Sequence, residues 1–191
     1  MKITHLDWSR LRTFPLAERK SLTAADDILR PPSSTPPACT GEQERHIRDC
    51  AVTIRSARRQ GAGVMLMYGA HLLRNGAALI LTEMMKNGSL THLATNGAGT
   101  IHDWEYAWFG RSTESVQENV ATGTFGTWNE TSLYTHMALL AGGLNREGYG
   151  TALGRFIAED GTTFPTPEEL EREIREAPAH PLTAARADLL R

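Results

Sequence analysis

The chain has 191 residues, 40% of them hydrophobic and 22% charged, and Lys+Arg 20 against Asp+Glu 22 leave a net charge of −2. That composition suits a globular domain with enough apolar mass for a core, and it lacks the basic surplus of a nucleic-acid binder. No apolar run reaches the roughly 18 residues a membrane helix needs, the N-terminus has no signal-peptide stretch, and two cysteines, Cys39 and Cys50, make no disulfide framework. The expectation is a cytoplasmic, reduced protein with neither nucleic acid nor membrane as partner.

Residues 1–40 read as an N-terminal arm and Pro-rich linker. Leu6, Trp8, Leu11, Phe14 and Leu16 are apolar but irregular, and Pro31-Pro32-Ser33-Ser34-Thr35-Pro36-Pro37 has no periodicity. The aromatics and leucines predict that the arm docks on a core, its own or a neighbour's. Residues 41–191 read as an α/β domain. From Gly41, Ile47, Cys50 or Ala51, Ile54 and Ala57 recur at helical spacing, with Arg48, Asp49, Arg55, Arg58 and Arg59 on the other faces. Arg58 and Arg59 suit the negative end of the helix dipole. Gln60-Gly61-Ala62-Gly63 ends the helix.

Val64 to Tyr68 is uniformly apolar and predicts a strand buried on both faces. Ala77 to Lys86 predicts a helix that Asn87-Gly88 stops, and Ser89 to Thr95 a second strand. Strand, helix and strand in about 30 residues make a right-handed βαβ unit with a parallel sheet. A helix is expected from Thr100 to Phe109, with Gly110 as its stop, and Ser112 is expected to cap a short helix to Val120. Residues 127–141 and 145–158 read as helices. Thr166-Pro167-Glu168-Glu169 starts another, which runs to Ala177, and Thr183 is read as the cap of a last one. No third strand is evident after Thr95. Two strands do not complete a doubly wound sheet, so either strands hide elsewhere or further sequence or a partner chain completes it.

Ligands of open α/β sheets bind beyond the carboxyl ends of the strands. The first such end carries Gly69, Ala70, His71 and Asn75, and the second carries Thr95-Asn96-Gly97-Ala98-Gly99-Thr100-Ile101-His102-Asp103. Gly97 and Gly99 would let the backbone approach a ligand, and the following helix N-terminus would face an anion. His102, Asp103 and Glu105 form a titratable cluster on the first turn, where the dipole disfavours a cationic His. A metal site from His71, His102 and Asp103 is a weaker alternative, because the spacing matches no zinc motif. Nucleophile-elbow, phosphate-loop and His-Glu-x-x-His motifs are absent.

The stretch from Val64 to Gly110 resembles deoxyhypusine synthase and its bacterial relatives. Ala70-His71-Leu72-Leu73-Arg74-Asn75-Gly76 stands where the family has Ser-Asn-Leu-Ile-Ser-Ser-Gly. The run Asn96-Gly97-Ala98-Gly99-Thr100-Ile101-His102-Asp103-Trp104-Glu105 is similar to the Asn-Gly-x-x-x-Ile-His-Asp-Phe-Glu of its bacterial branch, as are Gly123-Thr124-Phe125-Gly126 and Asn129-Glu130-Thr131. The resemblance implies a Rossmann-like parallel sheet with flanking helices, a homo-oligomer (a tetramer in the family), and NAD as cofactor. It implies an NAD-dependent transferase-type enzyme acting on a small amine or polyamine-like metabolite. Ala70, His71, Arg74, Asn75, Asn96, Gly97, Ala98 and Gly99 would then lie near NAD, with His102 and Asp103 as the catalytic pair. Where the family carries an acidic residue facing the polyamine, this chain has His102. The family's Trp-Gly-Lys segment does not occur in the sequence, so the domain is expected to be partial, the N-terminal half of a larger site. The alternative is a non-catalytic nucleotide-binding or assembly subunit. A metal-dependent hydrolase is the weaker third reading. The arm, by the same resemblance, would cover a neighbour's site entrance.

Overall fold

A computed structural model of the protein describes residues 7–191. They divide into two units, one made of residues 7–22 with Glu114–Arg191 and the other of Thr23–Thr113. Leu6 and the Trp8 side chain, both counted among the arm's apolar residues, lie outside the described part.

The Thr23–Thr113 unit runs β1 (Thr23–Ala24), α1 (Ala25–Ile28), α2 (Gly41–Arg59), β2 (Met65–Met67), α3 (His71–Arg74), α4 (Ala78–Lys86), β3 (His92–Ala94), α5 (Gly97–Phe109) and β4 (Arg111–Ser112). The expected strand–helix–strand unit forms. β2 and β3 pair in parallel, with Met65 opposite His92, Leu66 opposite Leu93 and Met67 opposite Ala94. Leu73, Leu81 and Leu90 are buried behind them, and Val64, Leu66, Tyr68 and Leu72 pack against that cluster. The helix from Gly41 begins at a capping box: the Gln43 amide donates to Thr40 Oγ1, and the Thr40 amide donates to the Gln43 side chain at 2.8 Å. Its far end is tied down by Arg58, whose guanidinium donates to the carbonyls of Gly88 and Ala62, both at 2.7 Å.

The expectation that the first strand is buried on both faces is corrected. Met65 is 58% exposed and Met67 76%, whereas Leu66 turns to the core. Alternate side chains of a strand point to opposite faces, and a uniformly apolar run does not say whether one face or both will be covered. The fold class is α/β as expected at its coarse level: the chain is mixed α/β and mostly helical, with two sheets of two strands each among the described residues, one of them parallel. A strand does follow Thr95: β4 pairs antiparallel with β1, Ser112 opposite Thr23 and Arg111 opposite Ala24.

The other unit contains α6 (Val116–Thr122), α7 (Asn129–Leu144), α8 (Tyr149–Ala158), α9 (Pro167–Glu176) and α10 (Thr183–Leu189). Its N-terminal segment carries 3-10 turns at Trp8–Arg10 and Leu16–Glu18. Phe14 bridges to Trp128, with the Phe14 amide donating to the Thr127 carbonyl at 2.9 Å and the Asn129 amide to the Phe14 carbonyl at 2.8 Å. Leu16 is buried, and its amide donates to Glu130 Oε2 at 2.6 Å. α7 and α8 approach so closely at Gly142 that a Cβ there would lie 2.3 Å from the Ala152 Cβ. The Thr166 capping box forms as expected. Two caps do not. Ser115 caps α6 in place of Ser112, accepting from the Glu118 amide at 3.3 Å. Thr183 donates to the Ala177 carbonyl and caps nothing. Both errors come from reading a polar residue ahead of an apolar run as a cap, when neighbouring polar residues compete for the position. Among the described residues no helix is long and apolar enough to cross a membrane.

Candidate functional site

Both sequence segments singled out at strand ends lie in the Thr23–Thr113 unit. β2 ends into α3 and β3 ends into α5, and because the strands are paired and α3 packs on α5, the two segments are neighbours. The Asn96 side chain accepts from the Gly99 amide at 3.0 Å, so it works as the N-cap of α5. The amides of Gly97 and Ala98 have no protein acceptor among the described residues. The two glycines differ. A Cβ on Gly99 would lie 2.4 Å from Thr95 Oγ1, whereas one on Gly97 would meet nothing within 4 Å. Gly99 is therefore required for packing on Thr95, and only Gly97 faces open space.

The residues at the first strand end are less uniform. Ala70 precedes α3 and is half-buried; His71 and Arg74 are exposed. Asn75 is used locally, donating from Nδ2 to the His71 carbonyl at 2.7 Å. Among the described residues no three His, Cys, Asp or Glu side chains come together to hold a metal ion. The trio His71, His102 and Asp103 is thus not a metal centre, because the exposed His71 does not converge with the other two.

His102 opens a buried polar network instead. Its Nδ1 lies 2.7 Å from Ser112 Oγ, and Ser112 Oγ donates to Glu105 Oε2 at 2.5 Å. Glu105 and Ser112 are 1% and 0% exposed. Three residues apart on α5, His102 and Glu105 share a helix face. Gly110, at φ +70, closes the helix and turns the chain so that β4 brings Ser112 back to that face. Thr113, the next residue, is buried with φ 65, an unusual conformation for a β-branched side chain. It is held by Thr23, whose Oγ1 lies 3.0 Å from Thr113 Oγ1, 2.6 Å from the Tyr106 hydroxyl and 3.1 Å from the Ser112 carbonyl.

Asp103 does not join this network; its electrostatic partner is Tyr68. Desolvation raises the Asp103 carboxyl above its usual pKa, although the residue as a whole stays exposed. Burial, and then the charge of Asp103, raise the Tyr68 hydroxyl, against a hydrogen bond with the Thr95 side chain. A raised folded-state pKa stabilises the fold at low pH, and that contribution is lost as pH rises through the folded value. Asp103→Asn should therefore match the parent in acid and gain on it as pH rises to neutrality, read as denaturant midpoints across pH. In the same variant the Tyr68 titration, followed by near-ultraviolet absorbance, should move down toward the ordinary tyrosine value. A Tyr68 titration that does not move would remove the coupling.

Sequence reading took Ser112 as a helix cap and Tyr68 as a strand residue, neither as part of a site, and did not single out Thr23 or Thr113. Glu105 was visible as part of the cluster, and its three-residue spacing from His102 is the one signal of the network that the sequence carried. Comparison of this chain with protein-family models, curated proteins and solved structures finds no match.

Proposed function

We propose that the Thr23–Thr113 unit is the nucleotide-binding part of a Rossmann-like, deoxyhypusine synthase-like protein, and that NAD is its cofactor. The observation that carries this reading is the open space over Gly97 beside the unbonded amides of Gly97 and Ala98, at the carboxyl end of a parallel strand pair. Amides at a helix N-terminus suit the pyrophosphate of a dinucleotide, so the residues present fit that portion of the cofactor. Gly97 and Ala98 would hold it, with Arg74 as the nearby cation; Asn96 and Gly99 would shape the loop, and Asn75 the end of α3. When bound, NAD would supply a hydride acceptor for oxidation of a small amine. The chain's own residues would bind and orient, with His102 as the polar group that meets the substrate and Asp103 next to it on α5. The activity class is NAD-dependent aminoalkyl transfer on a polyamine-like metabolite in the cytoplasm, with the remaining half of the site supplied by further sequence or by another chain.

A second reading, a nucleotide-binding or assembly subunit without turnover, is favoured by the bare β2 face at Met65 and Met67, which a homo-oligomer or a partner strand would cover. Titration of NAD⁺ into the purified chain by calorimetry tests both. Binding is expected in the parent and is expected to weaken at least tenfold in Gly97→Val, which fills the open space without disturbing a packed neighbour. Equal affinity in the two proteins, or none in the parent, rejects the cofactor loop. Binding without hydride transfer from any amine offered supports the subunit reading.

A further inference from the structure

We propose that the last two turns of α2 and the loop between α4 and β3 form a phosphate site, which takes the terminal phosphate of a small phosphomonoester. Arg55, Arg58 and Arg59 line a cavity of about 220 Å³ together with Asn87 and Ser89, and no carboxylate is part of its wall. That size is below the roughly 300–1,000 Å³ of sites that enclose a whole drug-sized ligand, so the cavity suits a charged head group. The segments concerned, residues 60–64 and 87–91, lead into β2 and β3. The cavity is thus at the amino ends of the strands, opposite the Asn96–Gly99 loop, and the proposal is independent of the cofactor reading.

Charge pairing along α2 sets these arginines apart. Arg48 is paired with Glu44, one turn before it. One turn before Arg55 stands Ala51, and one turn before Arg59 stands Arg55 itself, so the positions that could carry a compensating acid carry none. Like charges at three- and four-residue spacing repel on a helix, and among the described residues neither Arg55 nor Arg59 has a hydrogen-bonded or ion-paired partner. The helix dipole does not account for the trio. It presents about half a negative charge at this end, against three guanidinium groups, and it fades beyond the last turn, before which Arg55 stands. The last-turn carbonyls are also taken: those of Ser56, Ala57 and Arg58 accept from the amides of Gln60, Gly61 and Ala62. A bound anion would relieve the repulsion that nothing in the helix relieves.

Part of the wall is preorganised. Arg58 donates through Nε to the Gly88 carbonyl and through Nη1 to the Ala62 carbonyl, both at 2.7 Å, which fixes its guanidinium plane and leaves Nη2 for a ligand. The Ser89 amide donates to Asn87 Oδ1 at 3.0 Å, leaving Asn87 Nδ2 and Ser89 Oγ as donors. Every polar side chain at the cavity can therefore donate, and the planar fork of a guanidinium matches phosphate oxygens two at a time. A phosphomonoester dianion uses both the charge and the donors.

Titration of inorganic phosphate into the nitrogen-15-labelled full chain at low ionic strength, where screening is weak, tests this. Saturable shifts are expected at the Gly88 and Ser89 amides. Affinity should fall at least tenfold in Arg55→Gln and in Arg59→Gln, both at exposed positions. Arg48→Gln is the control: it removes the same charge from the same helix outside the cavity, and it should bind as the parent does. Equal weakening in all three variants overturns the proposal, and so does absence of saturation in the parent. Shifts confined to the Gly97 and Ala98 amides overturn it as well, by placing the phosphate on the cofactor loop. Vesicles of phosphatidylcholine with and without phosphatidic acid separate two sources of the same group. Co-sedimentation that needs phosphatidic acid and is lost in Arg55→Gln assigns the site to a lipid head group; no co-sedimentation, with the phosphate shifts retained, assigns it to a soluble ester.

Discussion

Gly76→Ala is expected to cost the Thr23–Thr113 unit several kcal/mol. Gly76 has φ +85, and a Cβ there would lie 1.8 Å from the Ile28 carbonyl oxygen, 2.5 Å from the Ile28 carbonyl carbon and 3.1 Å from the Leu29 Cα. All three are backbone atoms, so no side-chain rotation relieves the contact. The segment is also held by the Arg30 amide, which donates to the Gly76 carbonyl at 3.0 Å. A left-handed L-residue costs about 1–2 kcal/mol, and forced overpacking adds about 1–3 kcal/mol. Gly61→Ala is the matched control: φ is +72, and its Cβ would meet nothing within 4 Å, so only the conformational part, about 1–2 kcal/mol, applies. Denaturant midpoints of the two variants should differ by the packing contribution, and residues 28–40 should become the more readily cleaved by protease in Gly76→Ala. Equal losses would mean that Ile28 and Leu29 do not dock on Gly76.

Trp104→Ala is the second large effect, about 3–5 kcal/mol as for other buried aromatic truncations. Trp104 is fully buried and stacks on Trp108 with ring centroids 6.0 Å apart and planes 15° from parallel. Its position in the middle of α5, between Asp103 and Glu105, makes it the anchor that seats the helix carrying the candidate site. For a chain of this size each kcal/mol moves a thermal midpoint by roughly 2–4 °C, so the transition of this unit should fall by about 6–20 °C. Trp104→Phe, which keeps a ring in the cavity, should lose less. A loss in Trp104→Ala below about 1 kcal/mol, the usual size for substitutions with no core mechanism, would show that α5 is seated by something other than this ring.

The sequence by itself determined the features whose causes lie within a few residues. The capping box at Thr166, the stop at Gly110 and the order strand, helix, strand all arise from contacts at three- and four-residue spacing or from the period of apolar residues. The loop Asn96 to Gly99 was legible for the same reason, and so was the titratable cluster of His102, Asp103 and Glu105. Contacts between distant segments were left to the tertiary structure. Ser112 read as a cap, because nothing local reveals that β1 pairs with β4 and turns the Ser112 hydroxyl onto α5. Gly99 read as a ligand-facing glycine, and only the Thr95 side chain across the loop shows that it is a packing one. Tyr68 and Asp103 are 35 positions apart in the chain, and their electrostatic coupling arises because folding desolvates both groups. Which face of β2 would be covered was likewise undetermined: alternation sends Leu66 one way and Met65 and Met67 the other, and coverage depends on which other segments fold against each face.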